Sequence, residues 1–181
     1  MSYMFASASS FNSPLPGWDV GAVTNMSSMF AGASTFNQPL NGWDVSKVTD
    51  MSDMFKDAKA FNSDLSWDEK VKNVNNMANM FQNAQNFNQE IKDWIVNAVT
   101  DMSFMFAGAS TFNRPLNEWD VSAVTNMDYM FNDAKSFNNN SMTLSEWNIQ
   151  NVSTCDQFRK GSMLKNDLVP KLKKYCSPGG R

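Results

Sequence analysis

Leu40-Asn41-Gly42-Trp43-Asp44-Val45-Ser46-Lys47-Val48-Thr49-Asp50-Met51-Ser52-Asp53-Met54-Phe55-Lys56-Asp57-Ala58-Lys59-Ala60-Phe61-Asn62 is the unit from which most of this chain is built. A copy beginning at Leu15 reads LPGWDVGAVTNMSSMFAGASTFN, and one beginning at Leu116 reads LNEWDVSAVTNMDYMFNDAKSFN. Met-Phe pairs at Met4-Phe5, Met29-Phe30, Met54-Phe55, Met80-Phe81, Met105-Phe106 and Met130-Phe131 are separated by 25, 25, 26, 25 and 25 residues. A Phe-Asn pair follows each of them, and all 6 tryptophans of the chain fall within the same period. A fixed period of this length marks a repeat array, in which each unit buries its apolar face only by stacking on its neighbours.

The apolar spacing changes character within one unit. Leu40-x-x-Trp43-x-Val45 reads as a short strand, with Trp43 and Val45 pointing one way and Asp44 the other. Met51, Met54, Phe55 and Ala58 then show the i, i+3, i+4, i+7 spacing of one helical face. The residue before the first Met, as Asn25, Asp50, Asn76, Asp101 and Asn126, reads as a helix N-cap. Pro14, Pro39 and Pro115 suit a return loop, and the Asn after each Phe suits a stacked asparagine ladder. The expected fold class is therefore α/β: a leucine-rich-repeat-like solenoid of about six repeats, each a short parallel strand, turn, short helix and return loop.

Three places depart from the period. Leu65 to Val74 holds one extra residue, Ile95 stands where other units carry Asp, and three extra residues follow Phe137 in an Asn-rich loop. After Trp147 the pattern fades, with Cys155 at the first Met position and Phe158 one residue early. Residues 1–158 are expected to form the array, which starts mid-repeat, as an excised part of a longer array would. Residues 159–176 are expected to form a capping helix and 177–181 a disordered tail. Cys155 and Cys176 form a disulfide pinning that cap if the protein is extracellular, and remain two buried thiols in a cytosolic one.

Composition excludes several functions. The chain has 181 residues, a net charge of -3 and 0 histidines. An acidic balance disfavours nucleic acid and anionic membranes as partners, and the lack of histidine removes the commonest metal ligand and general base. No apolar run approaches the roughly 18 residues of a membrane span, and Met1-Ser2-Tyr3-Met4-Phe5 lacks the charged start of a signal peptide. No phosphate loop, nucleophile elbow or metal motif is present.

The motif W-D-V-S-x-V-T-x-M-x-x-M-F-x-x-A-x-x-F-N, as at Trp43–Asn62 and Trp119–Asn138, resembles the repeat of BspA-like leucine-rich-repeat surface proteins and lipoproteins of bacteria. The resemblance covers about Met1 to Phe158. It implies a leucine-rich-repeat-like array on a cell surface or outside the cell, with a role in adhesion or in binding a host or extracellular-matrix protein. Ile95, the shifted Trp67 and Cys155 depart from the pattern locally.

The residues themselves place the expected ligand-facing column at Asp19, Asp44, Asp68, Ile95, Asp120 and Asn148, the outward positions beside each Trp. Stacked carboxylates about 4.8 Å apart repel unless a cation or hydrogen-bond donors sit between them. No cofactor is implied; a calcium ladder is the one metal reading left open, without the dense Asp-Gly pattern of calcium-binding repeats. Even repetition marks no unique catalytic constellation, so an enzyme is not expected. Two alternatives stand beside the binding module: a structural spacer, and an ice- or polysaccharide-binding array using the column Thr24, Thr49, Thr100 and Thr125.

Overall fold

A computed structural model describes residues 1–165. Successive repeats stack in register, but the units are not built from strands and helices. Among the described residues there is no α-helix and no β-strand longer than a single bridge. The regular elements are two short 3-10 helices, Asp68–Val71 and Asn139–Ser141, and five isolated parallel bridges. This overturns the expected α/β solenoid with a strand and a helix in every repeat.

The segment expected to be helical is a run of tight turns. In the second unit, the backbone N–H groups of Met54, Lys56 and Ala58 donate back three residues to Met51, Asp53 and Phe55 at 3.1–3.2 Å. The alternate N–H groups, on Met51, Asp53, Phe55 and Asp57, donate instead to Asn76, Ala78, Met80 and Gln82 of the next unit at 2.8–3.0 Å. An α-helix would use all of these donors internally. Here every second one links repeats, and two residues per unit adopt positive φ: Ser28 and Gly32, Asp53 and Asp57, Asn79 and Asn83, Phe104 and Gly108, Tyr129 and Asp133. Positive φ at the third position is what a type II turn requires, and it stops helix propagation.

The strand is likewise absent where it was expected. Leu40-x-x-Trp43 is a turn closed by the Trp43 N–H on the Leu40 carbonyl at 3.0 Å, and Val45 to Val48 is another at 2.9 Å. Parallel pairing is confined to one residue per repeat, along Asn25, Asp50, Asn76, Asp101, Asn126 and Thr154. That column was read as helix N-caps. Its side chains do cap, but they cap turns: the Asp50 carboxylate accepts the Ser52 N–H at 2.9 Å, and the Asn76 and Asp101 side chains accept from Ala78 and Ser103 at 3.0 and 2.8 Å. Asn and Asp alternate along the column, so no two carboxylates are consecutive. Asn25 and Asn126 amides donate to Asp50 and Asp101 at 3.2 and 3.3 Å.

Side-chain columns complete the stack. Phenylalanine rings pair within a repeat, as Phe55 with Phe61 at 4.0 Å, and stack between repeats, as Phe55 on Phe81 at 5.6 Å. Both Met columns are fully buried beside them from Met26 onward. The indole N–H groups of Trp67, Trp94, Trp119 and Trp147 each donate 3.0 Å to the carbonyl of Leu40, Leu65, Ile91 and Leu116 in the preceding repeat. The asparagine ladder is present: the side-chain oxygens of Asn12, Asn37, Asn62, Asn88 and Asn113 accept the backbone N–H of the next Asn in line at 2.8–3.0 Å. These bonds satisfy backbone groups of the turns from one repeat away.

The irregular units are absorbed locally. The Asp68–Val71 3-10 helix takes up the extra residue after Leu65, and Asn139–Ser141 takes up the Asn-rich insertion. Asn139 is fully buried there, its side chain accepting the Leu116 N–H at 2.7 Å. Phe158 occupies a Met position, turns its ring 85° to Phe131 and so ends the parallel ring stack. Of the expected capping segment, residues 159–165 form a turn closed by the Ser162 N–H on Arg159 and bury Leu164 against the core. The rest of that segment and the expected tail lie outside the described residues.

Candidate functional site

The residue after each Trp points outward; at Asp44, Ile95, Asp120 and Asn148 the Trp before it and the Val or Ile after it are buried in the core. Asp19, Asp44, Asp68, Ile95, Asp120 and Asn148 occupy that position and all six are exposed. Most of the column is engaged in its own turn. Asp19, Asp44, Asp120 and Asn148 each accept the backbone N–H two residues on, at 3.0–3.3 Å. The Ser46 hydroxyl and then its backbone N–H, with a smaller contribution from Lys70 and Lys47, hold the Asp44 carboxyl below its usual pKa. Ser122 does the same for Asp120. Hydrogen bonding to the charged form favours it.

Ile95 breaks the column. It is an apolar side chain 41 % exposed at a position otherwise polar, and its N–H donates to the Asp68 carbonyl at 3.2 Å. Lys92, Asp93, Ile95, Glu118 and Asp120 line a shallow concavity around it. A second concavity, lined by Asn117, Glu118, Met142, Thr143 and Glu146, adjoins the first through Glu118. Met142, 49 % exposed, arrives there on the Asn-rich insertion. The sequence pattern singled out Ile95 but not Met142; the insertion itself was the available signal, since solenoid insertions are placed on loops beside binding faces.

All four residues of the threonine column are exposed. The Thr49, Thr100 and Thr125 hydroxyls donate to the backbone carbonyls of Thr24, Asn75 and Thr100 at 3.1–3.2 Å. No group of three potential metal ligands converges among the described residues. Cys155 is buried in the last repeat and held in a disulfide; the expected partner, Cys176, lies outside the described residues. No helix of the described residues is long and apolar enough to cross a membrane.

Residues 1–71 and 66–170 match the family described as Mycoplasma protein of unknown function, DUF285. The chain belongs to the DUF285 family. The two successive matches take in the whole repeat array of this DUF285 chain, and the family description assigns it no activity. No curated protein and no solved structure matches it.

Proposed function

We propose that this DUF285 chain is a cell-surface binding module that presents its outward turn face to a protein ligand such as a host or extracellular-matrix protein. The observation that supports this is the pair of exposed apolar side chains, Ile95 and Met142, set on adjoining concavities of an otherwise polar face. Exposed apolar patches rimmed by polar residues mark interaction sites, whereas apolar side chains scattered singly do not. The resemblance of the W-D-V-S-x-V-T motif to BspA-like surface proteins points the same way. The disulfide at Cys155 fits an oxidising, extracellular setting.

The reading is of binding rather than catalysis, because Asp19, Asp44 and Asp120 recur along the array and accept N–H groups of their own turns. The experiment is capture of purified extracellular-matrix and host-surface proteins on the immobilised chain, with and without calcium. Enrichment over a variant with Ile95→Asp and Met142→Ser is the expected result. Equal recovery on both surfaces would overturn the reading.

A further inference from the structure

We infer that the segment recognised at this face is basic and carries an aliphatic side chain, a step that rests on the binding-module reading above. The position before each Trp holds Gly17, Gly42 and Ser66 in the first three repeats but Asp93, Glu118 and Glu146 in the next three. All three acids are exposed, and Glu118 is shared by the two adjoining concavities. Their local partners are neutral: Glu118 accepts from the Asn117 amide at 2.7 Å and Glu146 from the Ser145 hydroxyl at 2.9 Å. None of the three is in an ion pair; the two ion pairs of the described residues are Asp53 with Lys56 and Glu90 with Arg114. Lys92 is the cation that lines the same concavity.

Like charges stacked in successive repeats raise one another's energy, and a cationic partner relieves all three together. A bare metal ion is the poorer occupant, because no three ligands converge there and because Ile95 and Met142 offer nothing to a metal. A polypeptide with lysine or arginine beside a leucine-like side chain satisfies both parts of the surface: ammonium or guanidinium groups on the Asp93–Glu118–Glu146 row, and apolar contact on Ile95 and Met142. Charge complementarity of this kind sets which partner is accepted and how fast it arrives.

The test uses the full chain and three short synthetic peptides, of alternating Lys and Leu, of alternating Glu and Leu, and of alternating Lys and Ser, titrated while backbone amide signals are followed by NMR. The Lys–Leu peptide is expected to move the amides of residues 93–96, 117–120 and 142–146, and to bind at least about tenfold more tightly than either control. Glu118→Lys with Glu146→Lys, and separately Ile95→Asp, should each cost at least about tenfold in its affinity while leaving the melting temperature unchanged. Equal binding of the three peptides, perturbations spread over Asp19 and Asp44 as well, or an unaltered affinity in Ile95→Asp would overturn the inference. Capture of a matrix protein by a chain that ignores the Lys–Leu peptide would sink the partner chemistry and leave the binding module standing.

Discussion

The buried tryptophans show how one side chain serves two neighbours. The indoles of Trp67, Trp94, Trp119 and Trp147 fill the core of their own repeats and donate to a carbonyl of the repeat before, as Trp94 does to Leu65 at 3.0 Å. Trp94→Phe keeps an aromatic ring but strands that buried carbonyl, so a loss of about 1–3 kcal/mol is expected in denaturant unfolding, plus the cost of the missing ring volume. A variant as stable as the parent would mean that water reaches Leu65. Two glycines offer a sharper contrast. Gly108 has φ +69°, and a Cβ there would run into the Asn83 side chain, itself held by a 2.9 Å hydrogen bond to Asp57. Gly42 lies outside the left-handed region with nothing within 4 Å of its Cβ direction. Gly108→Ala should therefore destabilise by roughly 1–3 kcal/mol, whereas Gly42→Ala should be neutral or stabilise by up to about 1 kcal/mol. Equal melting temperatures for the two would contradict the turn geometry. The outward carboxylates add a pH dependence. Asp44 and Asp120 have folded pKa values below the usual 3.8, so the stability their charged forms confer is present above that value and is lost as pH falls through the lower folded values. Asn148 accepts its turn N–H as an amide, so Asp44→Asn with Asp120→Asn should keep the turns and shed the titration. Its melting temperature should fall less than the parent's between about pH 5 and about pH 2; superimposable curves would show that these carboxylates titrate alike folded and unfolded.

The element between Met and Ala explains why the repeat was legible and its local structure was not. Met51, Met54, Phe55 and Ala58 are all buried, as a helical face would make them. The same burial arises from a chain of turns that points its apolar residues inward, so apolar spacing could not separate the two. What separates them is the column Gly32, Asp57, Asn83, Gly108 and Asp133, where each residue sits at positive φ. Gly, Asp and Asn are the residues that tolerate that conformation, and all three are poor in helix interiors. Their recurrence at one position of five successive repeats was a turn signal that outweighed the helical period. The companion column hides it better, because Phe104 and Tyr129 take left-handed φ despite their bulk. Their rings stack at 4.5 Å, and Gln157 donates to the Tyr129 hydroxyl at 3.0 Å. The Trp and Asn columns were legible for the opposite reason: one polar handle per repeat at a fixed spacing has few uses other than reaching the next repeat. The candidate face was legible at Ile95, a single break in a polar column, and not at Met142, whose position depends on how the Asn139–Ser141 insertion folds back over Leu116.

Stacking makes the whole molecule a one-dimensional object. Each repeat bonds to the one before and the one after through alternate backbone N–H groups, the Trp column and the Asn ladder, and the apolar core runs continuously from Val20 to Leu164. Stability in such an array is a sum of repeat and nearest-neighbour terms, so a defect acts where it is placed. Phe81 lies in mid-array, fully buried, 3.9 Å from Phe87 and 5.6 Å from both Phe55 and Phe106. Phe81→Ala removes four ring contacts, with Phe55, Phe87, Phe106 and Trp94, and leaves a cavity, at a cost of about 3–5 kcal/mol. Because the damage severs the coupling between the repeats on either side, the expected consequence exceeds a lower midpoint: the single unfolding transition should broaden or divide. Hydrogen exchange should then show the amides of Phe55 and Phe106 opening with different free energies. The equivalent change at Phe5, partly buried at the first repeat, should lower stability less and leave the transition single. A single sharp transition in Phe81→Ala, with uniform exchange along the array, would show that the stack behaves as one cooperative block and not as coupled neighbours.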